Sequence, residues 1–291
     1  MSYLDRIRAC NRHDIAQFRR FSVAGEAVGW VRHGFAEALR QFPAFRVAAD
    51  GVALDPGLDG LEARSAALAE AVSALVAQGA MAKPRHEDYA VVRRWGEAPL
   101  ARLDRAAVPY FGAGSFGLHV NGFVRKADGI HLWVGHRALD RSVAPGKLDN
   151  LIAGGLPFGL SLAENLVKEA GEEAGMAPEL ARRAVPVGCL SYCLENAHGL
   201  KPDVMFLYDL ELDAGFVPRN ADGEVARFEL VPVAEVARIV RETDDFKFNC
   251  NLVIIDFLVR HGLIQPDEPD YVAIVTGLRR PLPGMTQSPH G

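Results

Sequence analysis

The chain has 291 residues, of which 49% are hydrophobic, and a formal net charge of −5. This length suffices for two modest hydrophobic cores or a single large one. The negative balance gives no electrostatic reason to expect nucleic acid or an anionic membrane surface as a partner, and no run of about 18 apolar residues predicts a membrane span.

The N-terminal segment favours a cytoplasmic protein. Residues 1–14 carry charges where a signal peptide has its apolar core, and Asp5 and Asp14 argue against a transit peptide. Zinc would need more ligands near Cys189 and Cys193 than His198 alone provides. We therefore expect reduced, buried thiols at all four cysteines, which are Cys10, Cys189, Cys193 and Cys250.

Residues 1–110 are predicted to form a smaller α+β unit. Its predicted elements are helices around Leu4 and Ile7 and around Ile15 and Phe18, a helix over residues 61–78 that Gly79 ends, and a strand over residues 89–95. The glycine-rich residues 110–117 predict a hinge to the next unit.

Residues 111–275 alternate strand and helix patterns, and residues 276–291 form a tail. The predicted elements are strands over residues 118–125, 131–136, 185–194 and 204–212, and helices over residues 162–174 and 250–261. Ala127, Asp128 and Gly129 predict a tight hairpin. The order suits an α/β/α sandwich with a mixed sheet, and the proline-rich tail should be disordered at its end.

The helix predicted over residues 162–174 carries three acids at i, i+3 and i+4. This spacing places Glu169, Glu172 and Glu173 in one patch beside an apolar stripe. Carboxylates this close repel one another, and a hard cation such as Mg²⁺ would relieve the repulsion. A solvated acidic face is the alternative to a metal site.

Local signals bound this helix on both sides. Ser161 and Glu164 form an S-x-x-E capping box that starts the helix at Leu162. Gly175 is placed to end it.

The segment from Gly154 to Met176 resembles the signature of the Nudix hydrolases, G-x5-E-x7-R-E-U-x-E-E-x-G-U, where U is a bulky apolar residue. The matching positions are Gly154, Lys168, Glu169, Glu172, Glu173 and Gly175. Leu160 stands where the family usually has Glu, and Ala170 where a larger apolar residue is common. Lys168 keeps the charge of the usual Arg but loses its bidentate geometry.

Three longer stretches, residues 116–155, 222–236 and 246–264, resemble the thiamine pyrophosphokinase-related branch of the Nudix proteins. In that branch the box tends to read G-L-S, as residues 159–161 do here. The resemblance implies a Nudix α/β/α sandwich with a mixed sheet, preceded by a smaller α+β N-terminal domain.

The resemblance implies a metal-dependent hydrolase that cleaves a diphosphate bond, with Mg²⁺ as the ion and Mn²⁺ as an alternative. It assigns the metal to the three glutamates and the Gly154 carbonyl, and places Lys168 beside them in catalysis. Glu224, in a loop before a strand, is a candidate for a further ligand or for the general base; the alternative is a plain turn residue.

The branch also implies a substrate, namely thiamine-type diphosphates such as oxo- and oxythiamine diphosphate, cleaved to the monophosphate and phosphate. The candidates for substrate binding are His119, Asn121, Trp133, Asn150, Tyr192 and Asn196. Each has a core or cap role as its alternative. Phe248, Asn249 and Cys250 resemble residues specific to the family, and the alternative for Asn249 is a helix N-cap.

Two other functions stay open. One is a pyrophosphatase for ADP-ribose or another nucleoside diphosphate derivative, which would release AMP rather than phosphate. The other is a Nudix module that binds its ligand without cleaving it. In every case the expected partner is a small diphosphate, and residues 1–110 could shape the pocket, form a homodimer, or do both.

Overall fold

The structure is a computed structural model that describes residues 2–141, 143–221 and 223–284. The elements before residue 115 are α1 (Tyr3–Ala9), a 3-10 turn (Ile15–Gln17), β1 (Phe18–Val23), β2 (Glu26–Arg32), α2 (His33–Leu39), β3 (Phe45–Val47), β4 (Gly51–Leu54), α3 (Gly60–Ala77), β5 (Asp88–Val91), β6 (Ala101–Asp104) and α4 (Val108–Phe111).

The later elements build the larger part of the molecule. They are β7 (Ser115–Lys126), β8 (Gly129–Arg137), β9 (Leu148–Asp149), β10 (Ile152–Gly155), α5 (Leu162–Ala174), α6 (Pro178–Ala181), β11 (Val185–Asn196), β12 (Gly199–Glu211), β13 (Val225–Pro232), α7 (Val233–Glu242), α8 (Cys250–Arg260) and α9 (Tyr271–Gly277).

The first part of the chain contains a four-stranded sheet in the order β2-β1-β4-β3 and a separate two-stranded ladder of β5 and β6. Strands and helices share one apolar core, in which Phe21, Leu39, Leu68 and Phe111 are fully enclosed. The α+β composition expected for this part is confirmed.

The second part is built on a sheet in the order β11-β12-β7-β8-β13, with β10 paired to β7 and β9 paired to β8. β12 runs parallel to β7, and the other pairings are antiparallel, so the sheet is mixed. On one face Leu118 shares a cluster with Leu166 of α5; on the other, Phe123 shares one with Phe257 of α8. The predicted α/β/α sandwich is confirmed.

Helix α1 packs in the core around α8, although it comes first in the chain. Leu4 and Ile7 lie in that core, and the Arg6 Nε donates a hydrogen bond of 2.8 Å to the Val240 carbonyl. The domain boundaries at residues 110 and 275 remain predictions, and the described structure joins α1 to the later part.

The segment after α9 is packed as far as it is described. The Ser191 amide donates a hydrogen bond of 3.0 Å to the Leu278 carbonyl, and Leu282 is 5% exposed. The disorder expected at the end of the tail concerns residues 285–291, which lie outside the described residues.

Several local predictions are wrong. Phe18 begins a strand rather than continuing a helix, and residues 15–17 form a single 3-10 turn capped by Asp14. Asn249 does occupy the N-cap position of α8, but its side chain makes no cap bond there, and its Nδ2 contacts the Met205 sulfur at 3.3 Å. All four cysteines are free, but Cys189 is exposed rather than buried as expected.

The predicted hinge is a close-packed corner. Gly112 has φ +56°, and a Cβ there would lie 2.2 Å from the Trp30 carbonyl oxygen, so the corner packs directly against the backbone of β2. Within the described residues, no helix is both long and apolar enough to cross a bilayer.

Candidate active site

Helix α5 begins and ends where the sequence predicts. The Ser161 Oγ accepts the Glu164 amide at 3.2 Å, and the Glu164 carboxylate accepts the Ser161 amide at 2.8 Å. Gly175 ends the helix in the left-handed region with φ +59°. The capping box and the terminal glycine are both confirmed, and they fix the register of the acids that follow.

The three acids of α5 do not share one environment. Glu169 and Glu173 are buried, at 9% and 7% exposure, whereas Glu172 faces solvent. The Lys168 Nζ holds the exposed acid at 2.8 Å and also contacts Glu169 at 3.1 Å. The sequence predicted one patch, and packing divides it into two inward carboxylates and one outward carboxylate.

The two inward carboxylates lie against strand β10. The Glu173 Oε2 accepts the Ala153 amide at 2.7 Å, and a Cβ at Gly154 would lie 2.2 Å from the Glu169 Cδ. A side chain at position 154 would therefore displace the carboxylate, which explains the glycine there. The carboxylates and the glycine backbone meet at one place, as the spacing predicts.

Few groups offset the charge of these two buried acids: Lys168 contacts Glu169, and the Ala153 amide donates to Glu173. Burial raises the pKa of Glu169, and burial together with Asp149 raises the pKa of Glu173 well above its ordinary value. A divalent cation with hard oxygen preference would supply the missing positive charge. The residues present therefore fit such an ion.

One other group of potential metal ligands is found within the described part of the chain. Its ligand atoms lie within 4.8 Å of one another and belong to His119, Asp149 and Cys250. This triplet does not suit a cation. Asp149 already contacts the Arg137 Nη1 at 2.7 Å and the Lys247 Nζ at 3.2 Å. The two cations outweigh the effect of burial, and the pKa of Asp149 lies well below its ordinary value.

Three of the predicted substrate residues form one buried network next to Asp149. The His119 Nδ1 lies 2.9 Å from the Asn150 Oδ1, and the Asn150 Nδ2 donates to the Asn121 Oδ1 at 3.2 Å. Burial lowers the pKa of His119 to about 4, so its ring is neutral at pH 7. His119, Asn121 and Asn150 are thus brought together, as a substrate site would require.

The other predicted substrate residues lie elsewhere. The Tyr192 hydroxyl donates to Asp203 at 2.6 Å in the core, and the Asn196 Oδ1 accepts the His198 amide at 2.8 Å in the β11–β12 turn. Both side chains make hydrogen bonds within the fold, and this corrects their expected position opposite helix α5. Trp133 packs, half-buried, on the α5 face of the sheet, away from the His119 network.

Glu224 lies at the start of β13 and forms an ion pair with Arg141. Its carbonyl accepts the Ala138 amide at 2.9 Å. Its role as a metal ligand or base stays a prediction, because these contacts tie it to the β8 side rather than to α5.

The first part of the chain reaches this site, in keeping with one of the roles that the sequence left open for residues 1–110. The Tyr89 hydroxyl lies against Gly155, where a Cβ would be 1.6 Å from its oxygen. The Arg105 guanidinium lies 5.9 Å from the Tyr89 ring centroid and donates to Glu87 at 2.9 Å. No sequence signal links residues 87–105 to the glycine pair, because strand β5 meets it only through tertiary packing.

Asn165 was also missed, although the sequence offers a signal for it. It lies on α5 one turn before Glu169, fully buried, and its Nδ2 donates to the Gly155 carbonyl at 2.8 Å. A polar residue on the apolar stripe of a helix calls for a partner, and here it anchors the glycine turn.

A protein of Arabidopsis thaliana, Nudix hydrolase 24, chloroplastic, is 44% identical to this chain over 282 residues, which cover 95% of the chain and 77% of that relative. The chain belongs to the Nudix hydrolase family. Nudix hydrolase 20, chloroplastic, of the same plant is 41% identical over 289 residues, with the same coverage. The similarity supports an enzyme that hydrolyses a diphosphate bond.

Two further similarities concern parts of this Nudix hydrolase. The family described as "Domain of unknown function (DUF4743)" matches residues 2–114. An uncharacterised protein of Saccharomyces cerevisiae is 34% identical over 218 residues, which cover 69% of the chain and 63% of that protein.

The cytoplasmic location expected from the sequence is contradicted. Both Arabidopsis relatives of this Nudix hydrolase are named as chloroplastic proteins. The charged N-terminal residues on which the expectation rested do not exclude such a location, and we withdraw it.

Proposed function

We propose that this Nudix hydrolase uses Mg²⁺ to cleave thiamine-type diphosphates, including oxo- and oxythiamine diphosphate, into the monophosphate and phosphate. The observation that supports a hydrolytic site best is the pair of buried carboxylates, Glu169 and Glu173, set against the glycine backbone of β10 with raised pKa values. The substrate class is supported by the resemblance of three long stretches to the thiamine pyrophosphokinase-related branch.

In this proposal Glu169, Glu173 and the Gly154 carbonyl would hold the ion, and Glu172 would join them by leaving Lys168. Bound there, Mg²⁺ or Mn²⁺ would neutralise the diphosphate and lower the pKa of a water molecule. Hard carboxylate and carbonyl oxygens suit either ion.

The remaining work falls to the side chains. The Ala153 amide and Asn165 fix Glu173 and the glycine turn, so that the carboxylates need little reorganisation. One of the three glutamates would accept the proton of the attacking water at a carboxylate oxygen that does not bind the ion. Lys168 carries a positive charge on the same face, where it can contact a substrate phosphate.

The test measures product release from oxythiamine diphosphate, thiamine diphosphate and ADP-ribose, with Mg²⁺ and with a chelator. Phosphate that appears from the thiamine compounds and disappears with chelator is the expected result. AMP from ADP-ribose alone would replace the proposal with the nucleoside diphosphate pyrophosphatase. Binding of a thiamine compound without any product would favour the non-catalytic module.

A further inference from the structure

A cavity of about 260 Å³ lies between the two parts of the chain, next to the glycine turn. One wall comes from β5 and the residues after it, and includes Ala90, Val92 and Pro99. The opposite wall is Phe116 with the turn at residues 156–160. Neither part of the chain would form this cavity alone.

Hydrogen bonds hold the turn at both ends. The Phe158 amide donates to the Asp88 carbonyl at 2.7 Å, and the Leu156 amide donates to the Phe116 carbonyl at 2.8 Å. The cavity wall is therefore tied to strand β5 on one side and to strand β7 on the other.

The cavity is adjacent to the carboxylates of α5. Tyr89 lines the cavity and touches Gly155, while Glu169 lies against the preceding residue, Gly154. Because consecutive Cα atoms are about 3.8 Å apart, the Tyr89 hydroxyl and the Glu169 carboxylate lie within roughly 11 Å of each other. A ligand with its phosphates at α5 could place its organic group in the cavity.

The walls suit a flat, unsaturated ring. Tyr89, Phe116 and Phe158 contribute aromatic surface, and Glu97 adds one carboxylate. Arg93 and Arg94 keep that carboxylate ionised by lowering its pKa to about 2. The volume is slightly below the roughly 300 Å³ at which drug-sized pockets begin, so the cavity would take one ring system rather than a whole cofactor.

The position of Leu160 in the cavity wall accounts for its departure from the usual Nudix signature. It lines the cavity at the position where the family usually has Glu. An ionised carboxylate there would face apolar walls, where desolvation disfavours it. With leucine at this position, the chain lacks the carboxylate that the family usually has near helix α5, and the wall of the cavity is apolar there.

We propose that this cavity is the subsite for the aromatic heterocycle of the substrate, so that residues 89–99 take part in substrate selection. The proposal deepens the function proposed above and rests on it for the diphosphate end of the ligand. A thiamine-type ring or a nucleobase would both fit this chemistry, and the experiment separates them.

The test uses the full chain and two variants, Ala90→Trp to fill the cavity and Leu160→Glu to charge its wall. Ala98→Trp is the matched control, because Ala98 is exposed in the loop between β5 and β6 and does not line the cavity. The kinetic measurement gives KM and kcat for oxythiamine diphosphate, ADP-ribose and methyl diphosphate, which has no ring. Calorimetry with thiamine and with adenosine measures ring binding without catalysis.

We expect both cavity variants to raise KM at least tenfold for the ring-bearing substrate, with kcat within threefold and methyl diphosphate unaffected. Weaker binding of thiamine or of adenosine identifies the source of the ring. Wild-type KM and ring affinity in a folded Ala90→Trp or Leu160→Glu protein would overturn the subsite. If Ala90→Trp fails to fold, Leu160→Glu and Phe158→Ala decide the matter. Ring binding that the variants abolish, in a chain that cleaves nothing, would keep the subsite and reject the proposed hydrolysis.

Discussion

Asp149 and Glu173 are both buried carboxylates, yet their surroundings are opposite. Asp149 contacts Arg137 and Lys247, and its pKa lies far below the ordinary value. Glu173 accepts one backbone amide, and burial raises its pKa well above the ordinary value. A buried acid whose charge is balanced by side chains is costly to remove from the fold, whereas one left unbalanced is suited to receive a cation.

The largest effect should come from removing the unbalanced acid. Glu173→Gln should lower kcat by several powers of ten, which corresponds to at least about 4 kcal/mol, because the substitution removes a proposed metal ligand. The unfolding free energy should stay within about 1 kcal/mol or rise, since the amide oxygen can still accept from Ala153. Turnover with Mg²⁺ and urea unfolding measure the two quantities.

Glu179→Gln is the control for this prediction, because Glu179 is an exposed acid on α6. Glu172→Gln should also reduce turnover strongly, as its carboxylate joins the ion in the proposal. Unchanged turnover in both Glu172→Gln and Glu173→Gln would rule out the metal assignment.

The balanced acid should behave in the opposite way. Asp149→Asn leaves Arg137 and Lys247 without their shared anion, and breaking a buried ion pair costs about 3–5 kcal/mol. Urea unfolding should show this loss of stability, with the exposed Asp140→Asn as control. A loss below about 1 kcal/mol would mean that Asp149 is not the charge centre of its network.

The histidine beside Asp149 makes stability depend on pH. His119 is neutral in the folded state down to a pKa of about 4, whereas an unfolded histidine takes up its proton near pH 6.5. The unfolded state therefore binds more protons between these values, and stability is lost as the pH falls from about 6.5 to 4, by at most roughly 3 kcal/mol.

His119→Gln should remove most of this slope, and unfolding free energies measured from pH 7 to pH 4 test it. His33→Gln is the matched control, because His33 is exposed. Equal slopes in the His119→Gln and wild-type proteins would show that another group carries the pH dependence.

The smallest effect belongs to the exposed charges on the same helix. Lys168→Met removes the ion pair with exposed Glu172 and the longer contact with Glu169. Because the ammonium is itself partly open to solvent, the unfolding free energy should change by less than about 1 kcal/mol. Lys168→Arg should be closer still to wild type. A loss as large as that of Asp149→Asn would show that exposure does not separate the two kinds of pair.

Local signals predicted helix α5, and tertiary packing decided the surroundings of its acids. The capping box and Gly175 fixed both ends of α5, and the spacing of its acids follows from them. Strand β10 and Lys168 determine which acids face inward. The i, i+3, i+4 spacing alone does not predict that Glu172 is exposed.

The substrate residues illustrate the same limit. His119 and Asn121 are two apart on one strand, so their common face was predictable. Tyr192 finds its partner in Asp203 through the pairing of β11 with β12, and single-sequence patterns do not give that register. The contribution of Tyr89 required knowledge of how two separately built sheets meet.

The position of α1 has a consequence for how the chain is made. Its core neighbours lie in α7 and α8, and Arg6 contacts a carbonyl 234 residues later in sequence. During synthesis α1 emerges from the ribosome long before α7 and α8 do. Its apolar face therefore lacks these packing partners until about the last fifth of the sequence has been made. The packing of α1 can therefore be completed only after α7 and α8 have been made.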